Sequence, residues 1–242
     1  LVDHFKFPNE SILVLTEEQN NPKLIPTKEN MQKGLNWLVE GCQSGDSLVF
    51  YFSGHGLRQP DFNDDELDGF DETLCPVDFK TAGMILDNDI NTTIVKPLKE
   101  GVTLHAIIDS CHSGTILDLE HVYNRKITSW VDNKPPSGVA KSTSGGLAIS
   151  LSACADDQMA ADTSAFTGKD DMTGAMTYIF IQAIKSTNKI TYGYLLEYMH
   201  QQIEDANKAG CFHEILNKMF RRKFSQVSFF PSGASAIIFK RV

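Results

Sequence analysis

Ser47-Leu48-Val49-Phe50-Tyr51-Phe52 is a continuous apolar run, and Ser53-Gly54-His55-Gly56 follows it directly. Later in the chain, Val102-Thr103-Leu104-His105-Ala106-Ile107-Ile108 repeats the arrangement and ends in Asp109-Ser110-Cys111-His112-Ser113-Gly114. Such runs are the pattern of strands covered on both faces, as in parallel sheets. Each places a reactive residue just past the C-terminal end of its strand, where open parallel sheets bind ligands. His55 and Cys111 are therefore predicted to lie side by side, although 56 positions separate them.

Outward from these runs, strands and helices alternate. Ser11–Leu15 reads as a strand, and Thr27 caps a helix whose apolar face is Met31, Leu35, Leu38 and Val39. Ile90, Ile94 and Leu98 mark a second helix, Leu147–Leu151 a strand, and Met176–Ile184 and Leu195–Ala206 two more helices; Ala236–Phe239 fits a last strand. The alternation predicts one α/β domain with a mainly parallel central sheet flanked by helices. Within 1–242, residues 1–119 hold both runs, 120–146 form a polar linker with Pro135-Pro136 and Gly145-Gly146, and 147–242 complete the domain.

Composition narrows the function. Of 242 residues, 41% are hydrophobic and 22% charged, which suits a folded domain with a real core. No stretch approaches the roughly 20 apolar residues of a membrane span. The net charge of −9 is local: residues 61–91 hold ten acids against Lys80 alone, so the remainder is neutral in sum. That surface disfavours a nucleic-acid partner and favours a cation or basic peptide. Cys42, Cys75, Cys111, Cys154 and Cys211 are odd in number, with no CxxC pair, which suits a reducing, cytoplasmic compartment rather than a disulfide framework. The start at Leu1, with no leader pattern, reads as part of a longer protein.

A cysteine and a histidine in contact make a nucleophile and a base: the thiolate attacks a carbonyl and the imidazole manages the protons. The amides of Gly56 and Cys111 are candidates for the oxyanion site. Taken singly, a cysteine at a strand end is more often packing and a histidine in a glycine turn more often structural, so the pair alone leaves both readings open. His112 reads as a local hydrogen-bonding residue, His105 as a core histidine, and Cys154 as a small buried apolar residue. A zinc site lacks a spaced ligand pair.

At these residues the chain resembles a known family. Phe52-Ser53-Gly54-His55-Gly56, Asp68-Gly69-Phe70-Asp71-Glu72, Cys75-Pro76-Val77-Asp78, Asp109-Ser110-Cys111-His112-Ser113-Gly114-Thr115, Ser152–Gln158, Thr167–Tyr178 and Thr191-Tyr192-Gly193 resemble the metacaspases, caspase-fold cysteine peptidases of plants, fungi and protozoa. The short linker resembles type I members, and the wording is nearest to plant sequences. The resemblance implies a caspase-like three-layer sandwich and a His55–Cys111 dyad. It also implies Ser53 and Asp109 in the pocket for the residue before the cut, cleavage after Arg or Lys, and a monomer. A carboxylate such as Asp109 suits a guanidinium, which it can bind bidentately. Activation by Ca2+ is implied too, with Asp71, Asp87, Asn88 and Asp118 at the ligand positions.

Asn88 stands where the family often has Asp, which removes one negative charge from the site. An EF-hand fails because position 12 of the candidate loop is Cys75. Asp61–Asp68 otherwise reads as a solvated acidic loop. The basic residues Arg125, Lys126, Lys134 and Lys141 make the linker a candidate for self-processing. A first strand that the family carries before this starting point is missing, which predicts an unpaired sheet neighbour. A truncated or non-catalytic caspase-fold scaffold is therefore the alternative function.

Overall fold

The computed structural model describes residues 2–124, 127–153, 162–163, 173–186, 191–208 and 235–241. These fall into two compact units, one drawn from Leu1–Met159 with Ser232–Val242 and the other from Ala160–Pro231. In the first, α1 (Val2–Phe5) and β1 (Ile12–Thr16) lead to α2 (Lys28–Val39) and β2 (Ser47–Ser53). β3 (Gly56–Pro60), β4 (Phe70–Leu74), α3 (Phe79–Ala82), β5 (Ile85–Leu86) and α4 (Asp87–Ile90) follow, and α4 continues into a π turn over Asn91–Val95. β6 (Thr103–Asp109), β7 (His121–Asn124), β8 (Ser129–Asp132) and β9 (Leu147–Ser152) come next. The second unit contains β10 (Asp162–Thr163) paired to β11 (Thr173–Gly174), then α5 (Ala175–Ser186) against α6 (Tyr192–Lys208). β12 (Ser235–Arg241) returns to the first unit.

The main sheet has the order β1-β12-β2-β6-β9. β2, β6 and β9 pair in parallel, while β12 is antiparallel to both β1 and β2. Four of its five described strands thus run one way, as expected of an α/β sheet. β12 lies between β1 and β2, with Ser235 opposite Ser53 and Phe239 opposite Ile12. An open strand edge is a row of unsatisfied N–H and C=O groups, and an extended Ser-Ala-Ile-Ile-Phe segment satisfies both sides at once.

α2 forms where Thr27 predicts it, with the Thr27 Oγ1 accepting the Asn30 N–H at 3.3 Å. Its buried residues Met31, Leu35 and Leu38 join one core with Leu48, Phe50 and Phe52 of β2 and Leu104, Ala106 and Ile108 of β6. β2 is fully buried only on that face; Val49 and Tyr51, on the other, are half-buried. Ile90, Ile94 and Leu98 complete the core from the α4 side.

Two features run against the expected loops. β3, β4 and β5 form a second, antiparallel sheet inside the acidic region. No hydrophobic period announces it, because Asp71, Glu72 and Thr73 of β4 are buried along with Leu74. The 120–146 linker, expected as loop throughout, contains the β7–β8 hairpin. No helix among the described residues is long and apolar enough to cross a membrane.

Candidate active site

The parallel pairing of β2 and β6 sets Ser53 opposite Asp109 at the last rung. His55 and Cys111 each follow two residues later, so both leave the sheet at one height and on one edge. The Gly54 N–H donates to the Asp109 carbonyl at 3.2 Å, carrying the two turns side by side beyond the strands. A β-carbon placed on Gly56 would collide with the Cys111 carbonyl oxygen, so the backbones of the two turns are in direct contact. His55 and Cys111 are half-buried, while Asp109 is buried and Ser53 half-buried.

The turn after β6 is tight. His112 takes a left-handed backbone conformation (φ 49°), and the Ser113 hydroxyl donates to the Ser110 carbonyl at 2.9 Å. This fixes how Cys111 is presented, a backbone role for His112. Cys75 is buried below, its N–H donating to the His55 carbonyl at 3.0 Å. Burial, with the neighbouring Cys111, pushes the Cys75 thiol up to about 11, so it stays a thiol at neutral pH. Cys42, Cys75 and Cys111 are thiols rather than disulfide-bonded. Cys154, Arg125 and Lys126 lie outside the described residues. A cavity of about 270 Å³ opens beside Gly114 and Thr115, walled by Leu67 and by Val122 and Val131 of the hairpin. It does not include Ser53 or Asp109.

The acidic region is a structured cluster. Among the described residues, two groups of three carboxylates have ligand oxygens within 4.8 Å of one another: Asp61, Asp65 and Asp71, and Glu66, Asp87 and Asp118. Of the four expected Ca2+ positions, Asp87 and Asp118 come together, Asp71 belongs to the neighbouring group, and Asn88 turns its side-chain NH2 toward Asp65 at 3.5 Å. Asp61, Asp65 and Glu66 were not anticipated. They lie in the stretch read as a solvated loop, yet Asp65 is buried and the Glu66 side chain is only 7% exposed. Asp61 closes the loop by accepting the N–H groups of Asn63, Asp65 and Glu66 at 2.6, 2.8 and 2.9 Å. Burial works against its charge, but these bonds together outweigh it and hold its carboxyl below the usual range.

The other acids are pushed the opposite way. Burial and the facing Asp118 raise Glu66 and Asp87 to about 9 each. Burial also raises Asp71 and Asp118. Asp71 Oδ2 accepts from Gln59 at 3.1 Å, while its Oδ1, 1% exposed as a residue, has no hydrogen-bond partner among the described residues. Crowded, dehydrated carboxylates with an orphaned oxygen are short of positive charge, and hard oxygen donors suit Ca2+. The residues present therefore fit that ion.

One cation is already inside. The Lys141 ammonium meets Glu66 at 2.5 Å, Asp118 at 2.9 Å and Asp65 at 3.4 Å, with its side chain 5% exposed. Burial opposes its charge, but Asp118 and Glu66 hold it above the ordinary lysine range. Sequence reading placed Lys141 among exposed processing sites; here it is shut away, whereas Lys134 is exposed. A lone lysine in a Ser/Thr/Gly tract carries no sequence signal of such a role.

The acidic cluster and the turns of His55 and Cys111 share a scaffold. β3 begins one residue after His55, and its Gln59 holds Asp71 of β4. The next β4 residue, Glu72, accepts the Thr115 hydroxyl at 2.6 Å and donates its N–H to Asp87 at 2.6 Å. Thr115 is four residues past Cys111, so one run of bonds joins the Cys111 loop to the acidic cluster.

A cysteine and a histidine at the ends of adjacent parallel strands, over an α/β sheet, are the arrangement expected of a caspase-like domain. The metacaspase peptidase C14 domain matches residues 1–120. The chain is 55% identical to Metacaspase-1 of Arabidopsis thaliana, over 87% of this chain and 58% of that protein. It is 48% identical to Metacaspase-2 of the same plant, over 94% and 53%, and 37% identical to Metacaspase-1A of Neurospora crassa, over 84% and 53%. A crystal structure of a Geobacter sulfurreducens protein shares the fold with a TM-score of 0.50 at 21% identity, covering 73% of this chain and 69% of that one. The chain belongs to the metacaspase family and is similar to its plant members. It spans somewhat over half the length of these curated relatives.

Proposed function

We propose that this chain is the peptidase domain of a Ca2+-dependent cysteine endopeptidase that cuts after Arg or Lys. The observation that carries the reading is the Ser53–Asp109 register, which brings His55 and Cys111 to one end of β2 and β6. In this mechanism His55 takes the Cys111 proton and the sulfur attacks the substrate carbonyl carbon. The amides of Gly56 and Cys111 receive the charge on the carbonyl oxygen, and His55 returns the proton to the leaving amine. The thioester is then hydrolysed by water that His55 deprotonates. Ser53 and the buried Asp109 line the pocket for the basic side chain.

Ca2+, held by Asp87 and Asp118 with Glu66 or by Asp71 and its neighbours, would supply charge compensation that orders the bond run from Asp87 through Glu72 to Thr115. The protein acts as a cytoplasmic monomer and processes itself within the linker. Turnover of a peptide ending in an Arg fluorogenic amide tests the reading. Activity with Ca2+, lost in Cys111→Ala and His55→Ala, is expected; unchanged turnover in either variant overturns it. Asp71→Ala should keep the fold by circular dichroism and lose Ca2+ stimulation. Absence of turnover in this chain and in an upstream-extended one would favour a non-catalytic scaffold.

A further inference from the structure

We propose that Lys141 is a built-in counter-ion that locks the linker onto the acidic cluster until a divalent cation takes its place. The proposal rests on reading that cluster as a divalent-cation site, and it adds what occupies the site beforehand.

The residues flanking Lys141 are at the surface. Residues 136–140 and Ser142 are exposed, and only Lys141 turns inward. Its ammonium sits between the two carboxylate groups, touching Asp65 of one and Glu66 and Asp118 of the other. These are the oxygens a bound cation would need. An ammonium and a divalent ion on the same oxygens repel each other, and once the ion neutralises the cluster the lysine loses the attraction that offsets its burial. A four-carbon stem and three donors make lysine suited to such reversible seating.

The backbone at this point is also pinned. The Asn91 side-chain NH2 donates to the Lys141 carbonyl at 3.0 Å and to the Leu117 and Asp118 carbonyls at 2.9 and 3.2 Å. Lys141 is thus joined through both side chain and backbone to the segment that leads back to Cys111; the Asp118 N–H donates to the Thr115 carbonyl at 2.6 Å. Release of the ammonium leaves the linker held by Asn91 and by the bridges of Lys99 to Ser144 and Gly145. Coupling of this kind is reciprocal: Lys141 weakens cation binding as much as the cation weakens the seating of Lys141.

The test uses the full chain carrying Cys111→Ala, so that it cannot cut itself. Calorimetric Ca2+ titration is expected to give an affinity about tenfold or more tighter in Lys141→Met than with Lys141 present. Independently, and without altering Lys141, a lysine-specific external protease should cut after Lys141 about tenfold or more faster with Ca2+, with cleavage after exposed Lys23 unchanged. If both proteins bind Ca2+ equally, or Lys141 cleavage ignores Ca2+, the lock is wrong while the cation site stands. If neither protein binds Ca2+, both readings fall.

Discussion

Gly56 is the residue on which the site turns. Its lack of a side chain lets the turn after β2 lie against the Cys111 carbonyl, and the collision partner is backbone, which cannot swing aside. Gly56→Ala is expected to lower kcat/KM by about 100-fold or more, since displacement of about an ångström already carries that cost. The loss of stability should be only about 1–3 kcal/mol, as for other overpacked sites. Parallel kinetics and urea unfolding check this; full activity in Gly56→Ala would remove the proposed contact from the mechanism.

His105 gives a second prediction at this scale. It lies in β6 with its Nε2 at 3.1 Å from the Ser47 hydroxyl, and burial lowers its pKa from 6.5. Between its folded and unfolded pKa the unfolded chain binds the extra proton, so this residue's contribution is complete above about pH 6.5 and is lost as pH falls. Glu66 and Asp87, whose pKa values are raised, act with the opposite sign below about pH 9. The difference between wild type and His105→Gln therefore isolates the term: the wild type should lose more stability from pH 7 to 5.5. Equal slopes would show that His105 titrates alike in both states.

Among elements, β12 has the largest structural consequence. It supplies hydrogen bonds to β1 on one side and β2 on the other, and α2 lies across it. Ending the chain after Gly233 should therefore expose two strand edges at once, lower the unfolding midpoint and promote aggregation. A truncated chain that unfolds at the same temperature, without aggregating, would show that β12 is dispensable. The small sheet β3-β4-β5 matters differently. It carries Asp71 and Glu72 on β4, whose partner β3 begins one residue after His55, so the acidic cluster and the His55 turn share one small sheet.

For the molecule as a whole, charge is arranged by segment. The ten acids of residues 61–91 do not form a diffuse acidic surface; two of them, Asp65 and Glu66, meet Lys141 together with Asp118, and the lysine comes from a linker with no acidic pattern of its own. The main sheet, α2 and the placement of His55 and Cys111 were legible because apolar period, a Thr cap and strand-end turns are local signals. The polar small sheet, the split of the carboxylates into two groups, the burial of Lys141 and the insertion of β12 were not. Each depends on which distant segments satisfy one another's backbone groups or charges, and that balance exists only once the chain is folded.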